Sequence, residues 1–306
     1  MTLKHRILPE RRRGLLRAML AKGRKVRAIE AHNPLSALIG NEASVTAPGG
    51  GRKAFDALWL SGFTCASSRA LPDVELARLE KRLETIEEIA AATDKPMIAD
   101  ADTGGDPLAF RYLCTRLEAL GVSLIIVEDK VFPKRTSLAA GVRHDLEDPH
   151  AFAAKIAQGK EAMLSGEVLV FARIESLIAD VGLEDALARA RIYLESAADG
   201  VVIHSKDRTG KEIFAFIDGY NELRAKLAID KPLLCIPTAY NFVHDEELFA
   251  RGVAVVIHAN HPLRAAFLAM EKVCETILEA DRSQEADAIC VDLPRLFELI
   301  GTGGGT

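Results

Sequence analysis

PMIADAD (96–102) and LIIVED (124–129) decide the fold. Each is a short apolar run without the polar alternation of a half-exposed strand, which is the pattern of a strand buried on both faces. Each also ends in acidic residues. Six more runs of this kind follow the same pattern: VRAIEAH (26–32), ALWLSG (57–62), VLVFARI (168–174), GVVIHS (200–205), LLCIPT (233–238) and VAVVIHA (253–259). Helix-period segments lie between them. The clearest follows Pro72, where Leu76, Leu79, Leu83, Ile86 and Ile89 recur at spacings of three and four. Pro72 sits where a helix begins, and Asp73 and Glu75 suit its positive end. Eight strand–helix units predict an α/β fold, a (β/α)8 barrel of TIM type. The competing open, doubly wound sheet lacks its G-x-G-x-x-G turn after the first strand. Helical patterns at Leu263 to Ala280 and around Leu293–Ile300 exceed what eight units need and predict a packing or oligomerisation appendage. The expected division is a helical lead-in at 1–25, the barrel at 26–281, and a C-terminal helix and flexible tail at 282–306.

Composition agrees with a barrel. Apolar residues are 49% of 306, enough for a large core. The 39 Lys+Arg nearly balance the 44 Asp+Glu, for a net charge of −5, which argues against disorder and against general nucleic-acid binding. No apolar run reaches the ~18 residues of a membrane span. The five cysteines form no C-x-x-C pair, so neither a disulfide framework nor a zinc cluster is expected. No apolar signal core follows the N-terminal charges, and a cytoplasmic location is expected. RRRGLLRAMLAKGRK (11–25) reads as a solvated amphipathic helix rather than a membrane or nucleic-acid arm. PGGGRK (48–53) lacks phosphate-loop spacing and reads as a flexible excursion, and Gly303 to Gly305 as a frayed end.

The C-terminal ends of barrel strands form the active face, and here they are polar. Asp100 and Asp102, two apart on a strand, are expected to share a face, with Glu128 at the same height on the next strand. Singly, such acids cap helices or pair with Lys130. Three together at a barrel mouth repel one another unless a cation neutralises them, and oxygen ligands favour Mg²⁺ or Mn²⁺. Lys134, Arg173 and His204 bring positive charge and donors to the same mouth, making a pocket for a small multiply charged anion. Arg173 lies within an apolar strand, where an unpaired charge is expensive. Arg135 reads as a solvent-facing charge. His204 is either a site residue or a satisfied core histidine. The loop Phe132-Pro133-Lys134-Arg135-Thr136-Ser137 supplies cations and two hydroxyls and is suited to closing over an anion.

Together, Glu128-Asp129-Lys130-x-Phe132-Pro133-Lys134-x-Thr136-Ser137, Ala31-His32-Asn33, Trp59-x-Ser61-Gly62, Asp100-Ala101-Asp102-Thr103-Gly104 and Ala172-Arg173-x-Glu175 resemble the phosphoenolpyruvate mutase and phosphonopyruvate hydrolase branch of the isocitrate lyase superfamily. The resemblance implies a barrel whose eighth helix is exchanged between subunits of a homodimer or homotetramer. It places Asp73 beside the phosphoryl group, and makes Asp100 the Mg²⁺ ligand with Asp102 and Glu128 behind it through water. Trp59, Ser61, Gly62 and Phe63 become substrate-binding, partly through backbone N–H groups. Arg173 and His204 bind phosphoryl or carboxylate, and Lys134, Thr136 and Ser137 belong to a gating loop. The lyases' loop carries Cys and His, whereas this one reads Lys134-Arg135-Thr136-Ser137, which points away from carbon–carbon lyase chemistry.

Within the branch the signals divide. Typical mutases have Asn before Ser in the loop, and Thr136 resembles the hydrolases. The longer stretches 26–32, 102–105 and 174–178 resemble bacterial mutases. Weighed together they favour a mutase interconverting phosphoenolpyruvate and 3-phosphonopyruvate, with a hydrolase giving pyruvate and phosphate as the alternative. A non-catalytic barrel binding an anionic metabolite is the third reading. It has no evident need for Asp73, Asp100, Glu128, Lys134 and Arg173 together.

Overall fold

The computed structural model describes residues 5–77, 79–137 and 141–302, so the glycine tail at 303–305 lies outside the described residues. The strands in chain order are β1 (Val26–Glu30), β2 (Ser44–Ala47), β3 (Gly51–Ala54), β4 (Ala57–Leu60), β5 (Met97–Asp100), β6 (Leu124–Glu128), β7 (Leu169–Ile174), β8 (Gly200–Ile203), β9 (Leu233–Cys235) and β10 (Val253–His258). Eight of them, all but β2 and β3, close into a parallel barrel in which β1 pairs with both β10 and β4. These eight coincide with the eight apolar runs.

Alternate side chains of each strand enter two cores. Val26, Ala28, Trp59, Ile98, Ile126, Phe171, Val202 and Val255 fill the barrel. Ile29, Leu58, Ala99, Ile125, Val127 and Val170 pack outward under the helices. Fully burying one such side chain stabilises by roughly 1.5–3 kcal/mol, which explains why both faces are apolar.

The helices are α1 (Pro9–Arg12), α2 (Leu15–Ala21), α3 (Pro34–Glu42), α4 (Gly62–Ser67), α5 (Leu79–Ala92), α6 (Pro107–Ala119), α7 (Pro149–Glu161), α8 (Leu183–Glu195), α9 (Lys211–Leu227), α10 (Asp245–Ala250), α11 (His261–Ala280) and α12 (Leu293–Ile300). Four start the same way: Asn33, Asp106, Asp148 and Asp292 each cap backbone N–H and are followed by Pro in the first turn.

Three expectations change. The lead-in is not simply solvated: Leu16 of α2 is fully buried against the barrel interior, and Arg12 is buried with its guanidinium on the carbonyls of Ala90 and Thr93. The 48–53 stretch is the turn and second strand of an antiparallel hairpin, β2–β3, with Gly49 and Gly50 at positive φ in the turn. Helix α5 begins at Leu79 and not at Pro72, because residues 71–77 fold over the barrel mouth instead.

All five cysteines are free thiols, as expected. No helix among the described residues is long and apolar enough to cross a membrane. Helices α11 and α12 bury none of their residues in the single chain. They expose Phe267, Leu268, Met270, Leu278, Leu293 and Phe297.

Candidate active site

The C-terminal strand ends surround a cavity of about 130 Å³. It is lined by Trp59, Ser61, Phe63, Asp73, Asp100, Lys134, Thr136, Ser137, Arg173 and His204, all expected from the sequence. Ile236, Thr238, Ala259 and Asn260, at the ends of β9 and β10, complete the wall and were not among the expected residues. They follow apolar strands as the other site residues do, but only Asn260 carries the polarity that draws attention. Gly62, Asp102 and Glu128 lie just behind the lining.

Arg173 organises the far side. Its Nε donates to Glu175 Oε1 at 2.5 Å, and one Nη to His204 Nδ1 at 2.8 Å. Burial, then the Arg173 charge, lowers the His204 pKa, so the ring is neutral and accepts at Nδ1. His204 is thus both buried and a wall of the cavity. Burial opposes the charge on Arg173, but Glu175, Glu128 and Asp100 outweigh it and push the guanidinium pKa up. Glu175 also takes Lys130 Nζ at 2.8 Å and the Ser137 hydroxyl at 2.9 Å. Lys130 therefore serves Glu175 more closely than Glu128, which lies 3.7 Å away.

The near side carries the acids. Asp100 ends β5; its Oδ2 accepts the Gly62 N–H at 3.1 Å and its Oδ1 the Asp102 N–H at 3.0 Å. The Gly62 N–H is thus spent on Asp100 rather than held out for substrate. Asp102 does not share a strand face with Asp100. It lies past the strand end at φ 51°, and its carboxylate meets Arg82 at 2.5 Å and Lys134 Nζ at 2.7 Å. Burial alone would raise the Asp102 pKa, but Arg82 and Lys134 bring it down to about 2. Burial, then the Asp102 charge, pushes Asp100 up to about 6.

Over these acids lies the loop 130–137. Lys134 Nζ sits 3.0 Å from Asp73 Oδ1 and is buried. Thr136 Oγ1 donates to the Asp73 carbonyl at 2.9 Å, while Arg135 is exposed, as expected. The sequence missed two residues that hold this arrangement. Arg82 grips Asp102 and the Asp100 carbonyl from α5. Glu75 accepts from Thr103 and from the Lys134 main chain. Read on a helix, both are ordinary surface charges.

A divalent ion suits these residues, although no three His, Cys, Asp or Glu among the described residues converge closely enough to cage one by side chains alone. Both Glu128 oxygens are buried without a hydrogen-bond partner, and burial with the neighbouring Asp102 charge raises the Asp100 pKa despite Lys134 and Arg173. Asp73, Glu75, Asp100, Asp102, Glu128 and Glu175 outnumber Arg82, Lys130, Lys134 and Arg173 by two, so an anion entering this mouth needs further positive charge. The donors are all oxygen, the set preferred by a hard ion.

A closed parallel barrel with a charged, loop-covered mouth at its C-terminal face is the architecture of a (β/α)8 enzyme. The chain belongs to the phosphoenolpyruvate phosphomutase family, whose model matches residues 16–278. It is 36% identical over 288 residues to a phosphonopyruvate hydrolase of Variovorax sp. (strain Pal2), covering 94% of this chain and 93% of that protein. The structure of a phosphoenolpyruvate phosphomutase from Streptomyces platensis subsp. rosaceus superposes with a TM-score of 0.85 at 33% identity, over 94% of both chains. A phosphonopyruvate hydrolase solved with oxalate and Mg²⁺ superposes with a TM-score of 0.83 at 34% identity, over 97% of this chain and 96% of that one.

Proposed function

We propose that the chain is a metal-dependent phosphonopyruvate hydrolase, cleaving the carbon–phosphorus bond of 3-phosphonopyruvate to pyruvate and phosphate. The carrying observation is Thr136. Its one O–H is donated to the Asp73 carbonyl at 2.9 Å, so this side chain offers no donor to a phosphoryl group. An Asn there, as in typical mutases, would present a carboxamide N–H₂. A loop that grips phosphoryl less tightly leaves it to water. The 36% identity to a hydrolase across both chains supports the same choice. This reverses the preference drawn from the motifs alone. The mutase reading keeps the support of the mutase structure at a TM-score of 0.85, and differs only in the acceptor, which is then the enolate oxygen.

In this reading Trp59, Ser61 and Phe63 seat the pyruvyl end, with Gly62 behind them holding Asp100, and Arg173, His204 and Lys134 face the phosphonate, with Ser137 tying Glu175 beside them. Asp73, oriented by Lys134, positions the attacking water and takes its proton. As the phosphorus–oxygen bond forms, the carbon–phosphorus bond breaks and its electron pair stays on C3, leaving the enolate of pyruvate, which takes up a proton. Asp100, with Asp102 and Glu128 behind it, would hold Mg²⁺ or Mn²⁺, which when bound supplies positive charge for the enolate oxygen. The partner is a small molecule and not a nucleic acid or membrane. The exposed apolar faces of α11 and α12 support a homodimer or homotetramer.

Phosphorus NMR of the protein with Mg²⁺ and phosphonopyruvate tests this. Inorganic phosphate with stoichiometric pyruvate is expected. A phosphate-ester signal would install the mutase reading, and an unchanged spectrum the non-catalytic one. In the same assay Thr136→Asn should divert part of the product to phosphoenolpyruvate; an unaltered product ratio removes Thr136 from the argument.

A further inference from the structure

Glu75 lies outside the cavity lining, yet its carboxylate joins three segments of the mouth. Oε1 accepts from Thr103 N at 3.1 Å and Thr103 Oγ1 at 2.8 Å, and Oε2 accepts from Lys134 N at 2.9 Å. The residue holds φ 60°, a left-handed conformation that side-chain-bearing residues seldom adopt and that surrounding contacts must maintain. The loop makes two other contacts with this segment: Lys134 Nζ to Asp73 Oδ1, and Thr136 Oγ1 to the Asp73 carbonyl. An anion in the cavity competes for the lysine charge. The Glu75 bond runs to main chain and Glu75 is not part of the cavity lining, so substrate does not compete for it.

We propose that Glu75 is a positioning residue, a latch that fixes the loop 130–137 over the mouth and thereby sets Lys134 against Asp73 for phosphoryl transfer; this rests on the function proposed above. One end of the latch is fixed at Thr103, just past β5, and the other is the movable main chain at Lys134. Glu75→Gln separates the two. The glutamine carbonyl still accepts from Thr103, but its N–H₂ then faces the Lys134 N–H, donor against donor. Size and the fixed end are kept, and the latch is lost.

Two readouts test the latch. Limited trypsin digestion of the native protein without ligand follows cleavage after Lys134 and Arg135. Losing a hydrogen bond to a charged group should speed cleavage in Glu75→Gln by about tenfold or more; wild-type rates would overturn the proposal. Turnover of phosphonopyruvate with Mg²⁺ should show kcat reduced by about tenfold with KM changed by less than about threefold. A change confined to KM would also overturn it. If the wild type itself does not turn over phosphonopyruvate, the functional reading fails while the digestion still judges the latch. Should Glu75→Gln not fold, Thr103→Val, which loosens the fixed end without touching the loop, decides: faster cleavage supports the latch and wild-type cleavage overturns it.

Discussion

Gly62 shows how tightly single residues fit at the mouth. A Cβ there would lie 2.1 Å from Asp102 Oδ1, and that carboxylate is pinned by Arg82 and Lys134. Gly62→Ala must therefore displace Asp102, Asp100 or the start of α4. We expect kcat/KM to fall by roughly 10²-fold and urea unfolding to register about 1–3 kcal/mol of lost stability; wild-type kinetics would mean that the acids tolerate another arrangement. Asp100, Glu128, Arg173 and His204 were legible because each stands where an apolar run turns polar: the first two end β5 and β6, Arg173 is next to last in β7, and His204 directly follows β8. Arg82 was illegible because its partner Asp102 is 20 positions away and nothing local distinguishes it from Lys81. The turn at Asp102 hid likewise, since a strand alternation carried two residues past the end of β5 puts two acids on one face.

At the scale of elements, long-range contacts decided what periodicity could not. Leu76 continues the apolar spacing of α5 but is exposed, because Glu75 draws the chain toward Thr103 and Lys134 and delays the helix to Leu79. The β2–β3 hairpin escaped notice because its strands are short and exposed, without a buried face to pattern them. The N-terminal segment offers a test in pH. His5 places its two ring nitrogens 3.2 Å from Asp94 and 3.1 Å from Glu42, an arrangement that only the doubly protonated ring satisfies as donor. Burial opposes that charge, but Glu42 and Asp94 outweigh it and raise the pKa above its ordinary 6.5. The folded chain thus binds the proton more tightly. The stabilisation is whole below pH 6.5 and is lost as pH rises through the folded-state value. Urea midpoints between pH 6 and 9 should show His5→Gln converging on the wild type at the alkaline end, with a gap of at most about 1 kcal/mol at the acid end. A gap that widens toward alkaline pH would refute the pairing.

For the molecule as a whole, the barrel was readable because its strands are buried on both faces almost throughout, so each announces itself as a largely apolar run. The C-terminal arm was readable as surplus helix, but where it docks is information that one chain does not hold. Covering the apolar side of α11 should require a second copy: light scattering is expected to give a dimer or tetramer for the wild type, and a smaller species when Phe267 and Leu268 are both replaced by Asp. Helix α11 starts at His261, directly after the cavity residue Asn260, and the Leu263 N–H is held 3.3 Å from Glu30 Oε2 at the end of β1. The arm with the exposed apolar side is thus rooted in a wall of the cavity. Specific activity should then decline as the protein is diluted toward single subunits and recover on reconcentration, making turnover itself a reporter of how many chains have come together.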